Sequence, residues 1–308
     1  MDETIPLIES SPMQTAQNIP GVELLAIIGS GGMSQVYKAR HLIMDEIVAV
    51  KIISASALGE SGTQRFMREA KRTAALVHPA IVQVKSAGMA NDGNPYIVME
   101  YIEGQALSSF IESGYRFSSD ELLAISKDVM SALSCAHQQG IIHRDIKPGN
   151  IMVSGSPHSR SAKLVDFGIA RSITDDGIQK LTKSGFLLGT PAYMSPEQCS
   201  DKDLDLRSDL YSFACVLFEC IVGRKLFVGD NSLDVMYQHL NSAPQLQDLK
   251  QIAGIKVSSL LDRALSKDRA KRPTSADEFA TQLEPALKEM PLQKLGSNLA
   301  SSENLSPS

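Results

Sequence analysis

Tryptophan is absent from the 308 residues, and aromatic side chains make up only 5% of them. Binding platforms for single-stranded nucleic acid are built from stacked rings, so this composition argues against that class. A basic excess is missing too: thirty Lys and Arg stand against thirty-five Asp and Glu, a formal net charge of −5. Nucleic-acid binding through bulk charge is therefore not expected. The four cysteines, Cys135, Cys199, Cys215 and Cys220, form no CxxC pair, which removes zinc-ribbon spacing and thioredoxin-type redox chemistry. Cys215 and Cys220 fall in an apolar run and read as buried core in a reducing compartment. Long hydrophobic stretches are lacking as well. The most apolar, LYSFACVLFECIVG, spans 14 residues and contains Glu219, too short and too charged to cross a bilayer. The opening MDETIPLIES has neither the basic start nor the apolar stretch of a secretion signal. A cytoplasmic chain without a membrane segment is expected.

What remains is ordinary globular composition, 43% hydrophobic and 21% charged, able to build a core without disulfides or metals. At roughly 150 residues per domain, the length suggests about two structural units. Residues 1–20 are rich in Ser, Thr, Gln, Pro and acidic groups without periodicity, and read as a flexible tail. From Val22 to Ile53 the pattern alternates as strands do, in three runs divided by a glycine cluster and a polar turn. A helix follows in TQRFMREAKRTAALV, where Phe66, Ala70, Ala74 and Val77 share one face and His78-Pro79 ends it. Two more strands flank the turn Asn91–Asn94. After Gly104 the character becomes helical. SSDELLAISKDVMSALSCAHQQG is amphipathic and closed by Gly140, and Ser208–Val222 is apolar almost all round, hence central. Ser275 to Glu278 forms a capping box ahead of Phe279, Leu283 and Leu287. The class is α+β, with a β-rich lobe and a larger α-rich one.

Within this frame, Gly29-Ser30-Gly31-Gly32-Met33-Ser34-Gln35-Val36 lets backbone N–H groups approach phosphate oxygens with no Cβ in the way. A P-loop would require Gly-Lys-Ser/Thr and a following helix, and a Rossmann fingerprint also requires that helix. A plain hairpin turn remains open on this segment alone. Val48-Ala49-Val50-Lys51 then places a lysine at the end of an alternating strand, with Glu69 on the helix that follows. His143-Arg144-Asp145-Ile-Lys147-Pro-Gly-Asn150 gathers charged and amide groups between apolar segments. Asp166-Phe167-Gly168 and Gly189-Thr190-Pro191-Ala-Tyr-Met-Ser195-Pro196-Glu197 complete the order.

With these motifs in this order, the chain resembles the protein kinases, and among them the Hanks-type serine/threonine kinases of bacteria. The resemblance covers about residues 21–288. It implies a bilobal fold: a small antiparallel sheet lobe with one key helix (21–100), a hinge (100–104) and a mainly helical lobe (105–288), followed by a flexible tail (289–308). It also implies roles. Lys51 would hold the α- and β-phosphates of ATP and Glu69 would orient it by an ion pair. Asp166 and Asn150 would hold Mg²⁺, with Mn²⁺ as an alternative. Asp145 would accept the substrate hydroxyl proton, Lys147 would neutralise the transferring phosphoryl group, and Thr190 would bond to both. Ile28, Gly29, Ser30, Gly31, Gly32, Met33, Ser34, Val36 and Ala49 would cover the nucleotide and Met152 would floor it. Met99 would guard the back, and Glu100 and Ile102 would offer backbone groups to adenine. Lys147 and Thr190 point to Ser or Thr acceptors in proteins.

Arg144 before Asp145 is the arrangement in which a phosphorylated activation loop is gripped by arginine, with Thr182 and Ser184 preferred as sites and Thr174 a further candidate. Autophosphorylation in trans, through a transient homodimer, is the expected mode. Glu197 is expected to pair with Arg272, and Asp209 to brace the loop near Arg144. His143 and Phe167 read as packing residues. Ser34 stands where the family has a third glycine and Ser195 where it has alanine, the latter with no expected consequence. No function is assigned to the lengthened hairpin at 154–162. Two other readings compete. A scaffold without catalysis would lack Lys51, Asp145, Asn150 or Asp166, and all four are present. A kinase of small molecules is disfavoured by the segment from Gly189 to Glu197.

Overall fold

The computed structural model describes residues 19–31, 33–167, 191–200 and 202–291. Alternating side chains build β1 (Val22–Gly31), β2 (Ser34–His41) and β3 (Glu46–Ile53), which join β4 (Val84–Met89) and β5 (Pro95–Glu100) in one antiparallel sheet of order β1-β2-β3-β5-β4. The sheet extends slightly beyond its expected start, because Ile19 is buried at 1% exposure and bridges Val22. Helix α1 (Ala55–Ala74) crosses the sheet and packs Phe66 and Ala70 against Ile53, Val84, Ile97 and Met99.

This helix begins eight residues before the expected Thr63. ASALGESG reads as a loop because it holds two glycines and two serines. The side chain of Ser54 makes no capping bond; instead Asn94, from the β4–β5 turn, accepts the Ala55 N–H at 2.8 Å. A cap supplied from a distant turn leaves no local signal. The helix also ends earlier than expected, so Val77 lies beyond it, 77% exposed, while Leu76 takes the buried place.

The larger lobe opens with β6 (Gln105–Ala106), α2 (Leu107–Glu112) and α3 (Ser119–Gln138). Ser118 and Glu121 form a capping box at the start of α3, and Gly140, at φ 69°, turns the chain out of it. Strands β7 (Ile151–Ser154) and β8 (Ser161–Leu164) complete a small sheet of order β6-β7-β8. The two lobes are joined along β8, where Val82 N–H donates to the Leu164 carbonyl and Leu164 N–H to that of Ala80, both at 2.9 Å.

Four further helices follow: α4 (Pro196–Cys199), α5 (Arg207–Val222), α6 (Ser232–Asn241) and α7 (Gln247–Ala264), with α8 (Ala276–Lys288) last. Helix α5 is buried over nearly its whole length, including the thiols of Cys215 and Cys220. It ends at Gly223, φ 83°, where a Cβ would stand 2.3 Å from the Arg116 guanidinium. Helices α3, α5, α7 and α8 enclose one core containing Phe213, Leu261 and Phe279. The expected two-lobe α+β architecture is present. Among the described residues no helix is long and apolar enough to cross a membrane.

The lengthened hairpin at 154–162 has a structural part. Arg160 Nε donates to Glu121 at 3.0 Å, and its guanidinium stacks 4.9 Å from the Phe110 ring. It staples the hairpin to the start of α3.

One ion pair anchors the far end of this lobe. Arg272, 1% exposed, donates to both carboxylate oxygens of Glu197 at 2.7 and 2.9 Å and lies 4.8 Å from the centre of the Tyr211 ring. Burial pushes the Glu197 carboxyl up, but Arg272 outweighs it and holds it below the ordinary range. Removing one partner of such a pair strands a buried charge, so Arg272→Ala should lower stability by roughly 3–5 kcal/mol in chemical denaturation at neutral pH. A depressed carboxyl contributes above its unfolded pKa of about 4.3 and loses that contribution as pH falls through the folded value. The gap between wild type and Arg272→Ala should therefore narrow on acidification.

Candidate active site

The loop joining α3 to β7 is shaped by a carboxylate from below. Asp209 on α5, 1% exposed, accepts the backbone N–H of His143 at 2.8 Å and that of Arg144 at 2.9 Å. Its Oδ2 also lies 2.8 Å from His137 Nε2. The expected brace is present. Arg144 takes φ 66°, a left-handed conformation that side chains other than glycine rarely adopt. His143 is fully buried, with Nε2 3.0 Å from the Val165 carbonyl and its ring centre 4.5 Å from that of Phe167. Burial pushes its pKa below the ordinary value, so it serves as a neutral packing group, as expected.

Asp145 projects from this loop into a ring of polar side chains. Lys147 Nζ donates to Asp145 Oδ2 at 2.7 Å, and Asn150 Nδ2 donates to the same oxygen at 2.9 Å and to the Asp145 carbonyl at 2.8 Å. Both donors converge on Oδ2. Asn150 is buried at the end of a short helical turn, Pro148–Asn150. Its amide nitrogen is committed, so Oδ1 is the atom it can offer a cation.

Opposite stands Asp166, at φ 60°, with Oδ1 2.7 Å from Lys51 Nζ. Burial would raise the Asp166 carboxyl, but the Lys51 ammonium holds it below the usual range. The expected ion pair between Lys51 and Glu69 is not formed. Glu69 lies 3.3 Å from Arg72 and 3.8 Å from Arg68 on its own helix. Charges one and three residues away reach it with no movement of α1, while Lys51 is already neutralised by Asp166.

Above this cluster, Gly29 pairs with Val36, Ser30 with Gln35 and Gly31 with Ser34, so strand leads directly to strand. The Met33 carbonyl accepts the Ser54 N–H at 3.0 Å. Val36, Ala49, Met99 and Ile102 share one apolar cluster. Ile28 is 49% exposed at its mouth, and Met152 stands on β7 in register with Lys163. The amide of Glu100 is committed to the Gln83 carbonyl at 3.0 Å, so its carbonyl is the backbone group it can offer a base. Its carboxylate is held at both oxygens by Lys163 Nζ, each at 2.7 Å. Gly32, Thr174, Thr182, Ser184 and Thr190 lie outside the described residues.

A cleft of about 300 Å³ opens beside Lys147, bordered by Glu112, Gly149, Tyr193, Glu219 and Lys225. Tyr193 donates to Glu219 at 2.5 Å. The Asp166 carboxylate and Asn150 Oδ1 are hard oxygen donors at one end of this site. That chemistry fits Mg²⁺, which is held by one or two protein oxygens and completes its shell with water and phosphate. Among the described residues no three His, Cys, Asp or Glu converge as a zinc-type centre would.

Sequence reasoning missed two contributors. Lys163, behind the hinge, shows no motif. Gln198 closes a capping box with Ser195, and the pattern Ser-x-x-Gln is legible. Its bond to the Arg144 carbonyl, 2.7 Å, spans too much chain to be read locally. Asp209→Asn should leave one loop N–H facing another donor and lower stability by about 2–3 kcal/mol in urea denaturation; an unchanged midpoint would mean the loop holds itself.

A protein kinase domain model matches residues 22–283 of the chain. The serine/threonine-protein kinase pkn3 of Myxococcus xanthus is 39% identical over 272 residues, covering 86% of this chain and 49% of that protein. The serine/threonine-protein kinase PknB of Mycolicibacterium smegmatis is 40% identical over 276 residues, covering 88% of this chain and 43% of that protein. The chain thus spans less than half the length of these curated relatives. The crystal structure of the Mycobacterium tuberculosis PknI kinase domain superposes with a TM-score of 0.71 at 25% identity, covering 89% of this chain and 99% of that one.

Proposed function

Because the chain belongs to the protein kinase family, on the branch of the Hanks-type bacterial serine/threonine kinases, we propose that it transfers the γ-phosphoryl group of ATP to Ser or Thr hydroxyls of proteins. The observation that carries this reading is the ion pair Lys51–Asp166 beside Asp145, whose Oδ2 is held by Lys147 and Asn150, with the Lys147 charge reaching Asp166.

In the transfer, the acceptor hydroxyl oxygen bonds to the γ-phosphorus while the bond to the β,γ-bridging oxygen breaks, and the hydroxyl proton passes to Asp145. Oδ1 is the atom suited to receive it, since Oδ2 is held by Lys147 and Asn150. Lys147 leaves Asp145 to neutralise the transferring group. Lys51 leaves Asp166 to hold the α- and β-phosphates, which frees the Asp166 carboxylate to act as an oxygen ligand beside Asn150. A divalent cation, Mg²⁺ in our reading with Mn²⁺ as an alternative, would neutralise the phosphate charge when bound there. Ile28, Val36 and Ala49 would cover the adenine, Met152 would floor it, Met99 would back it, and Glu100 and Ile102 would meet its edge. The glycine-rich turn from Gly29 to Ser34 would lie over the phosphates.

The acceptor protein would enter by the cleft between Lys147 and Tyr193. Thr190 would tie that segment to Asp145 and Lys147, and phosphate on Thr182, Ser184 or Thr174 would order it through Arg144. Transfer within a transient homodimer would supply that phosphate.

The test is transfer from ATP to dephosphorylated casein beside a panel of small alcohols. Protein acceptors alone should be labelled. Lys51→Met and Asp145→Asn should each lower kcat on the order of 10²–10³-fold, as loss of one electrostatic stabiliser does elsewhere. Transfer to alcohols in preference to protein would replace this reading with a small-molecule kinase.

A further inference from the structure

The backbone of Arg144, immediately before Asp145, is left-handed at φ 66°. A left-handed conformation in a non-glycine residue is strained and persists only where surrounding contacts hold it. Asp209 accepts the Arg144 N–H. The Arg144 carbonyl is held from the opposite side by Gln198, whose Nε2 donates to it at 2.7 Å. One residue is thus gripped at both of its backbone polar groups, from α5 on one side and from α4 on the other.

Gln198 also caps its own helix. Its Oε1 accepts the Ser195 N–H at 3.0 Å, and its own N–H reaches Ser195 Oγ at 3.4 Å. A carbonyl partner on one side and an N–H partner on the other admit only one orientation of the amide, so a side chain with one donor and one acceptor end is required. Together with Tyr193, Met194 and Ser212, Gln198 lines a small cavity against Arg144, Asp145 and Lys147. It therefore joins the segment 191–200, which borders the acceptor cleft, to the loop that carries Asp145.

We propose that Gln198 is a positioning residue for phosphoryl transfer: it acts through the Arg144 carbonyl to fix the orientation of Asp145, and so couples order in the segment 191–200 to catalysis. The inference rests on the kinase reading above. It predicts that catalysis follows the amide donor and not the cap, and the two are separable by substitution. Gln198→Glu keeps the acceptor for Ser195 N–H, since glutamate is equally at home at this position of a capping box, but sets a carboxylate against the Arg144 carbonyl. Gln198→Met removes both bonds at similar size.

The experiment measures kcat and KM with ATP and dephosphorylated casein for the full 308-residue chain and both variants, beside their urea midpoints. Both variants should lose about five- to tenfold in kcat, on the scale of one hydrogen bond, with KM for ATP within twofold of wild type. Both variants should lose some stability, and only Gln198→Met should lose the contribution of the cap bond to Ser195. The deficit of Gln198→Glu should shrink as pH falls toward the ordinary glutamate pKa of about 4.3, because a protonated carboxyl donates to the carbonyl again, whereas that of Gln198→Met should not. Wild-type kcat in Gln198→Glu would overturn the inference and leave Gln198 as a cap alone. Equal deficits in the two variants with no pH difference would overturn it as well. Wild-type protein that transfers no phosphate would overturn the kinase reading itself, and this outcome is distinguishable from the others.

Discussion

Asp209 sits in the interior as a carboxylate only 1% exposed, and what satisfies it is the backbone of the loop at His143 and Arg144. A buried carboxylate without donors is costly, and so is a left-handed arginine without restraint; each is tolerated because the other is there. The helix that presents Asp209 is buried almost throughout and lies in the core enclosed with α3, α7 and α8. The geometry of the polar cleft is in this way referred to a helix buried at the centre of the larger lobe. His143 extends the same arrangement upward, from Asp209 to the Val165 carbonyl and the Phe167 ring.

The charges in the cleft are satisfied by one another. Lys51 meets Asp166, Lys147 meets Asp145, and Glu69 stays with the arginines of its own helix. Entry of a polyphosphate would offer both lysines stronger partners, since phosphate carries more charge than a carboxylate, and would leave Asp166 as a bare oxygen ligand. The same groups that neutralise one another in the cleft would then be those that bind and orient the reactants. Glu100, gripped by Lys163 and Gln83, ties the end of β5 to β8.

Much of this was legible in the sequence, and the reasons differ by residue. Strands and helices with clear periodicity, such as Val48–Lys51 and the helix closed by Gly140, carry their signal within a few residues. Asp145, Lys147, Asn150 and Asp166 are identified by motif order, which survives whatever the details of packing. The start of α1 was not legible, because its cap comes from Asn94 in a distant turn. Nor was the partner of Glu69, since a carboxylate with cations at one and three residues' distance and another across a cleft has no local preference. Gln198 was half legible: its capping role is written in Ser195-x-x-Gln198, and its hold on Arg144 is created only by the fold.

Asp145 and its neighbours are proposed here to carry out phosphoryl transfer. The most direct measurement is incubation of the purified chain with Mg²⁺ and ATP, followed by phosphosite mass spectrometry, beside an Asp145→Asn control. Phosphate on Thr182 or Ser184 in the wild type and not in the control is the predicted result. Equal phosphate in both samples would place the transfer elsewhere, and none in either, with casein also unlabelled, would contradict the account.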